Sequence, residues 1–124
     1  MAAPVAPADP RAIVRALEES RVAYVVVGGW AAVTYGVDRA TFDLDVVVEV
    51  SDENATALAS ALDRLSALRD RGAGITEELN LSDPHSIFAS PLRALTRHGP
   101  LDILRSVPGV GGYEELRADA RRAS

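Results

Sequence analysis

The chain has 124 residues, a net charge of −5 and no cysteine. Its length favours one domain with a modest core, and the missing cysteines exclude disulfides, thiolate nucleophiles and Cys-based zinc sites. The acidic total argues against broad, non-specific binding of nucleic acid, although it leaves room for a local patch among the 13 basic residues, which are all arginine.

The amino terminus lacks the features of an export or membrane segment. Residues 1–8 are rich in Pro and Ala, and we expect them to form a flexible tail ahead of a single domain that spans residues 9–124. There is no basic stretch followed by an apolar stretch, as a signal peptide requires, and no apolar run approaches the ~20 residues of a membrane helix. We therefore expect a cytoplasmic protein without membrane contact.

The first predicted elements are a helix and a strand. Asp9 before Pro10 is typical of a helix N-cap followed by proline at the first helical position, and this helix is predicted to run to about Ser20. The apolar run from Ala23 to Val27 predicts a strand in the middle of a sheet that is covered on both faces.

Gly28 and Gly29 end this strand, and residues 30–35 then predict a short helix closed by Gly36. Because glycine has no Cβ, it lets a phosphate group approach the backbone closely. Two glycines after a strand are weak evidence by themselves, and an ordinary turn is the favoured interpretation until other features are considered.

A second predicted strand carries Asp43 and Asp45 ahead of an apolar run that ends at Val50. Because side chains alternate along a strand, the two carboxylates share one face, and apolar side chains such as Leu44 and Val46 line the other. Neighbouring carboxylates repel each other unless a cation neutralises them. The pattern therefore indicates a divalent metal ion at this strand.

The remaining chain predicts helices that alternate with short strands. The predicted helices span residues 51–71, 91–99 and 113–122, and the predicted strands span 75–81, 87–89 and 101–104. Arg93 and Arg97 lie four residues apart on the brief middle helix, where they form either a basic edge for an acceptor or a pyrophosphate or, as we favour, a solvated helix face. Asp102 lies between apolar residues of the last strand, and a buried acid costs free energy unless it is hydrogen-bonded or metal-bound.

Three of these features together carry a resemblance to a known family. Gly28-Gly29 is followed after thirteen residues by Asp43-Leu44-Asp45, and Asp102 comes in a later strand. This pattern resembles the signature of the DNA polymerase β-type nucleotidyltransferase superfamily, and residues 39–45 (RATFDLD) are similar to a motif of minimal bacterial members related to the AbiEii abortive-infection toxins. The resemblance covers residues 25–104. It implies an α/β (α+β) domain in which a small mixed sheet has its helices packed mainly on one side, the minimal nucleotidyltransferase fold.

The resemblance also implies roles for the site residues. Asp43, Asp45 and Asp102 would be the catalytic residues and would bind two Mg²⁺ ions, or Mn²⁺ in their place, since Mg²⁺ prefers carboxylate and phosphate oxygens. Asp102 would bind the ion that activates the acceptor hydroxyl and would take the proton of that hydroxyl. Gly28 and Gly29 would pack against the triphosphate of the bound nucleotide.

Arg39 and Thr41 are two further candidates for nucleotide binding. A guanidinium group matches the geometry of phosphate oxygens, but an ion pair between Arg39 and one of the aspartates is an equal alternative. Thr41 either donates a hydrogen bond to a phosphate or favours the extended backbone that leads into the strand.

The function that this resemblance implies is transfer of a nucleoside monophosphate from a nucleoside triphosphate, such as ATP, to a hydroxyl group, with release of pyrophosphate. The acceptor would be a protein, an RNA or a small molecule. The setting would be a toxin–antitoxin or phage-defence system with a cognate toxin or antitoxin as partner, and a homodimer is a further expectation. The chain ends soon after the third acid, as in a compact member of the family or a shortened chain.

The competing hypothesis is a nucleotidyltransferase-fold antitoxin or regulator, which would bind a protein partner and have little or no catalytic activity. The presence of all three acids favours the enzyme over this regulator.

Overall fold

A computed structural model describes residues 9–27, 44–88 and 91–123. The predicted tail, the Gly28-Gly29 turn, the predicted helix at residues 30–35 and Asp43 lie outside these ranges. Within them are the helices α1 (Pro10–Glu19), α2 (Asp52–Arg64) and α3 (Tyr113–Ala123) and a 3₁₀ helix (Pro84–Phe88). The strands are β1 (Tyr24–Val27), β2 (Leu44–Val48), β3 (Leu68–Gly72), β4 (Ile75–Glu78), β5 (Leu92–Thr96), β6 (Gly99–Leu104), β7 (Ser106–Val107) and β8 (Gly111–Gly112).

Helix α1 begins where the sequence predicts. The Asp9 side chain accepts a hydrogen bond from the backbone N–H of Ala12 at 3.2 Å, and Pro10 occupies the first helical position, so both features of the predicted N-terminus are confirmed. Ile13 and Leu17, one turn apart, are almost completely buried and fix the helix against the sheet.

Helix α2 ends earlier than predicted, at Arg64 and not near Arg71. The chain leaves the helix through Ser66, whose φ is +52°. The backbone N–H of Ser66 donates to the Asp63 carbonyl, and that of Ala67 donates to the Leu62 carbonyl. This is a Schellman motif with serine at the position where glycine is usual. The segment that continues the apolar helical period therefore forms strand β3 instead.

Residues 91–99, predicted to be a helix, form strand β5 and the turn that follows it. Proline is common at the first position of a helix, but Pro91 does not begin one here. In the fold, the alternation of buried Leu92, Ala94 and Thr96 with exposed residues follows the period of two of a strand. The predicted strand at residues 87–89 was also wrong, since Ile87 and Phe88 belong to the 3₁₀ helix.

Strands β1 to β6 form one mixed sheet in the order β1-β2-β6-β5-β3-β4, and β7 pairs with β8 in a small ribbon. Neighbours β2 and β6 are parallel, and every other neighbouring pair of the sheet is antiparallel. Strand β1 therefore lies at an edge of the sheet formed by the described residues, not in the middle as its apolar sequence predicts.

The hydrophobic core lies between one face of this sheet and the helices α1 and α2, with the 3₁₀ helix at its side. We call this the core face, and it carries Leu44, Val46 and Val48 of β2 together with Leu101 and Ile103 of β6. The prediction of a small α+β fold with a mixed sheet is confirmed. Among the described helices, none is both long and apolar enough to span a membrane.

Candidate functional site

Asp45 and Asp102 lie side by side on the two central parallel strands. The register of β2 and β6 pairs Leu44 with Leu101 and Asp45 with Asp102, and neighbouring strands are ~4.8 Å apart. Residues that pair directly across two strands have side chains on the same face. The fold therefore places two carboxylates, 57 residues apart in the sequence, next to each other.

The alternation of each strand turns these carboxylates away from the core. Leu44 and Val46 flank Asp45, Leu101 and Ile103 flank Asp102, and all four are at most 2% exposed on the core face. If either strand were turned over, its aspartate would be buried in the core as an uncompensated charge, and its two apolar neighbours would be exposed. We call the opposite side of the sheet the carboxylate face.

Arg93 of β5 extends this row on the carboxylate face. It pairs directly with Asp102 across β5 and β6, and its Nη1 donates to both oxygens of that carboxylate, at 3.1 Å to Oδ2 and 3.3 Å to Oδ1. The side chains of Arg93 and Asp102 are 43% and 22% exposed. The ion pair is therefore within reach of solvent and of a bound ligand.

Asp70 of β3 holds the other side of the same guanidinium group. The Nε of Arg93 donates to Asp70 Oδ2 at 3.1 Å, and the backbone N–H of Gly72 donates to Asp70 Oδ1 at 2.8 Å. The Gly72 N–H, with Arg93 as the second cause, holds the pKa of the Asp70 carboxyl below its ordinary value of 3.8. Arg93 thus lies between two carboxylates and contacts each through a different nitrogen.

The chemistry of this row fits a divalent cation that prefers oxygen ligands. Asp45 and Asp102 supply carboxylate oxygens, the ligand type that Mg²⁺ prefers. Within residues 9–27, 44–88 and 91–123, no group of three or more His, Asp and Glu side chains is arranged to hold a metal ion. The third acid of the predicted site, Asp43, lies outside these residues, so the described part of the chain supplies two of the three expected ligands.

The other predicted nucleotide-binding residues are not in the described part of the chain. Gly28, Gly29, Arg39 and Thr41 belong, with Asp43, to residues 28–43. Their predicted roles stay predictions. Strand β1 ends at Val27, which pairs with Asp45. Val27, the partner of Asp45, is thus the residue that precedes Gly28-Gly29 in the sequence.

A cleft of about 430 Å³ opens beyond the carboxyl-terminal ends of β2 and β6. Its volume is within the range of small-molecule sites. None of the residues that line it is a carboxylate, and the Arg105 guanidinium at its wall donates to the Phe88 carbonyl. The cleft is therefore distinct from the row of Asp45, Asp102 and Arg93, none of which lines it. The lining residues are Val50, Pro91, Leu104, Arg105 and Ser106.

Sequence reasoning missed the arrangement of Asp70 and Arg93. Asp70 lay within the overextended helix prediction, and Arg93 was assigned to a helix, so neither had a predicted place beside Asp102. The signal that could have located Arg93 is the alternation of residues 92–96, in which Ala94 is buried between two exposed positions. Leu95, 40% exposed on the carboxylate face, and Thr96, buried on the core face, obscure that alternation.

Comparison with protein-family models, with curated proteins and with solved structures finds no match to this chain.

Proposed function

We propose that this protein is a metal-dependent nucleotidyltransferase, which transfers a nucleoside monophosphate from a nucleoside triphosphate to a hydroxyl group. The observation that carries the proposal is the direct register of Asp45 with Asp102 on adjacent parallel strands. Two carboxylates held together on a strand pair are costly unless a cation lies between or beside them. The glycines and Asp43 named in the sequence support the same assignment.

Asp45 and Asp102 would hold Mg²⁺, which when bound would neutralise phosphate charge and favour ionisation of the acceptor hydroxyl. The acceptor oxygen forms a bond to the α-phosphorus, the bond from this phosphorus to the β-phosphate bridging oxygen breaks, and pyrophosphate leaves. The proton of the acceptor passes to the Asp102 carboxylate. In this scheme the rigid strands β2 and β6 contribute precise placement of the two carboxylates, since each is fixed by buried neighbours.

One observation favours the alternative of a regulator that binds a protein partner. Arg93 already donates to both oxygens of Asp102, and a permanent ion pair of this kind would neutralise the carboxylate without a metal ion. In that case the carboxylate face would serve as a binding surface, and neither metal nor nucleotide would bind it.

Calorimetry with a non-hydrolysable analogue of each nucleoside triphosphate, with Mg²⁺ and with a chelator, separates the two functions. We expect the wild type to bind one or more analogues only when Mg²⁺ is present. We expect Asp45→Asn to weaken this binding by at least about tenfold, since even loss of a residue that only supports a metal ligand has effects of this size.

Asp63→Asn is the matched control, because Asp63 is exposed on α2 and belongs to none of the contacts of the row. It should bind the analogue like the wild type. The enzyme hypothesis is contradicted, and the regulator favoured, if folded wild type shows no Mg²⁺-dependent binding. Equal affinities for wild type and Asp45→Asn would lead to the same conclusion.

A further inference from the structure

We propose that Arg93 is a nucleotide-binding residue which exchanges Asp102 for a phosphate group of the nucleotide, and that Asp70 is the positioning residue that holds Arg93 during this exchange. The inference rests on the proposed function and names a residue pair that the predicted metal and glycine motifs do not include. It is carried by the geometry of one guanidinium group between two carboxylates.

Arg93 contacts Asp70 and Asp102 through different nitrogens. Nε donates to Asp70, and Nη1 donates to Asp102. A shift of the Nη1 end away from Asp102 therefore leaves the Nε contact available. Asp70 is itself held by the Gly72 N–H at 2.8 Å, so the fixed end of this arrangement belongs to the backbone of β3.

Charge balance makes the contact with Asp102 a replaceable one. The Asp102 carboxylate needs a cation beside it, and in the described structure Arg93 supplies that cation. A divalent ion at Asp102 would compete with Arg93 for the same oxygens. Because the ion pair is partly exposed, its net contribution is small and its exchange is favourable once a stronger ligand is present.

The Nη1 end of Arg93, once it leaves Asp102, has a suitable partner in the nucleotide. A triphosphate bound beside Asp45 and Asp102 would bring phosphate oxygens to the carboxylate face, and guanidinium groups form charge-assisted hydrogen bonds with such oxygens. Arginine can contact Asp70 and a phosphate at the same time because its nitrogens are held apart in a rigid plane. Lysine has a single side-chain nitrogen and could not keep both contacts in this geometry. The arrangement therefore makes metal and nucleotide affinity respond to Arg93 in opposite directions.

The test measures two affinities on the intact chain: Mn²⁺ alone by electron paramagnetic resonance, and the Mg²⁺ complex of a non-hydrolysable nucleotide by calorimetry. In Arg93→Gln, Mn²⁺ should bind about threefold tighter, because a competing ion pair is removed. The nucleotide should bind about tenfold weaker, because hydrogen bonds to charged groups are lost. Asp70→Asn should weaken nucleotide binding about threefold at every metal concentration, because Arg93 loses the carboxylate that positions it.

Arg71→Gln is the matched control. Arg71 lies on the same strand as Asp70 but pairs with Glu77 at 2.9 Å, so neither affinity should change. Arg93→Lys serves as the second variant if Arg93→Gln does not fold, because it keeps a positive charge between the carboxylates. It should bind Mn²⁺ like the wild type and the nucleotide more weakly than the wild type.

Opposite shifts of the two affinities in Arg93→Gln support the proposal, since a merely structural ion pair would change both in the same direction. The role of Arg93 is overturned if Arg93→Gln binds both Mn²⁺ and the nucleotide more weakly, or if neither affinity changes. If Asp45→Asn still loses nucleotide binding, the proposed function remains standing. Wild-type nucleotide affinity in folded Arg93→Lys also overturns the role of Arg93. Absence of Mg²⁺-dependent nucleotide binding by the wild type overturns both proposals.

Discussion

Asn54 is a buried polar residue that joins three parts of the chain. Its Oδ1 accepts from the Ala23 N–H at 2.7 Å, and its Nδ2 donates to the carbonyls of Ala23 and Glu49 at 3.1 and 2.7 Å. Asn54 is 4% exposed and lies in the first turn of α2. One side chain thereby satisfies backbone groups at the start of β1 and the end of β2, the two strands that lead to and carry Asp45.

We expect Asn54→Ala to lower the free energy of unfolding by about 2–4 kcal/mol, because the part-buried Ala23 N–H and Glu49 carbonyl lose this partner. The Ala23 carbonyl keeps its hydrogen bond from the Glu49 N–H. Urea unfolding followed by circular dichroism measures this change. Asn80→Ala is the control, since Asn80 is exposed and should change stability by less than about 0.5 kcal/mol. Equal stabilities for the two variants would show that the Asn54 contacts contribute nothing.

At the scale of elements, strand β3 can form because helix α2 ends at Arg64 and the chain reverses at Ser66. Ser66 adopts a φ of +52°, a conformation that costs a residue with a Cβ free energy but reverses the chain so that Leu68 can pair with Leu95. Leu65, the C-cap, is buried and holds this end in the core. The same reversal brings Asp70 to the carboxylate face, where it contacts Arg93.

Ser66→Gly should raise the free energy of unfolding by about 0.5 kcal/mol, because glycine adopts a positive φ without steric cost but loses more entropy on folding. Ser60→Gly is the matched control at an exposed position inside α2, where glycine should lower stability by about 1 kcal/mol. Thermal unfolding of both variants measures the two effects. The same sign for both would contradict the role of Ser66 as a left-handed helix end.

At the scale of the whole molecule, the hairpin of β3 and β4 is a peripheral part of the sheet. Strand β4 is exposed along its length, and the register of β3 with β5 includes two residue pairs, Leu68 with Leu95 and Arg69 with Ala94. The contact of Asp70 with Arg93 adds a link from this hairpin to the central strands. Acid should weaken this link when the Asp70 carboxyl takes up a proton.

The pKa of Asp70 is lowered by folding, so the ionised carboxyl stabilises the fold above its ordinary pKa of 3.8, and this contribution is lost as the pH falls through the lower folded value. We therefore expect wild type to be more stable than Asp70→Asn at pH 6, and the difference to fade below about pH 3.8. Urea unfolding at several pH values measures it. A difference that persists unchanged at low pH would contradict this assignment.

Several parts of the fold could be predicted because they depend on neighbouring residues alone. The Asp9 cap of α1, the strand around Asp102 and the face of Asp45 follow from capping chemistry and from the period of two. The early end of α2 could not be predicted in this way, because Ser66 has no sequence signal for a positive φ. Strand β5 was missed because Leu95 is apolar and exposed, which breaks the expected alternation.

By itself, the sequence determined the residue types of the candidate site and the face of each strand on which they lie, since both follow from local periodicity. Only the tertiary structure decided that Asp45 is level with Asp102 and that Arg93 lies between Asp102 and Asp70. These neighbours come from strands β2, β6, β5 and β3, whose order differs from their order in the chain. Register between such strands depends on packing of the whole core face, so no local pattern contains it.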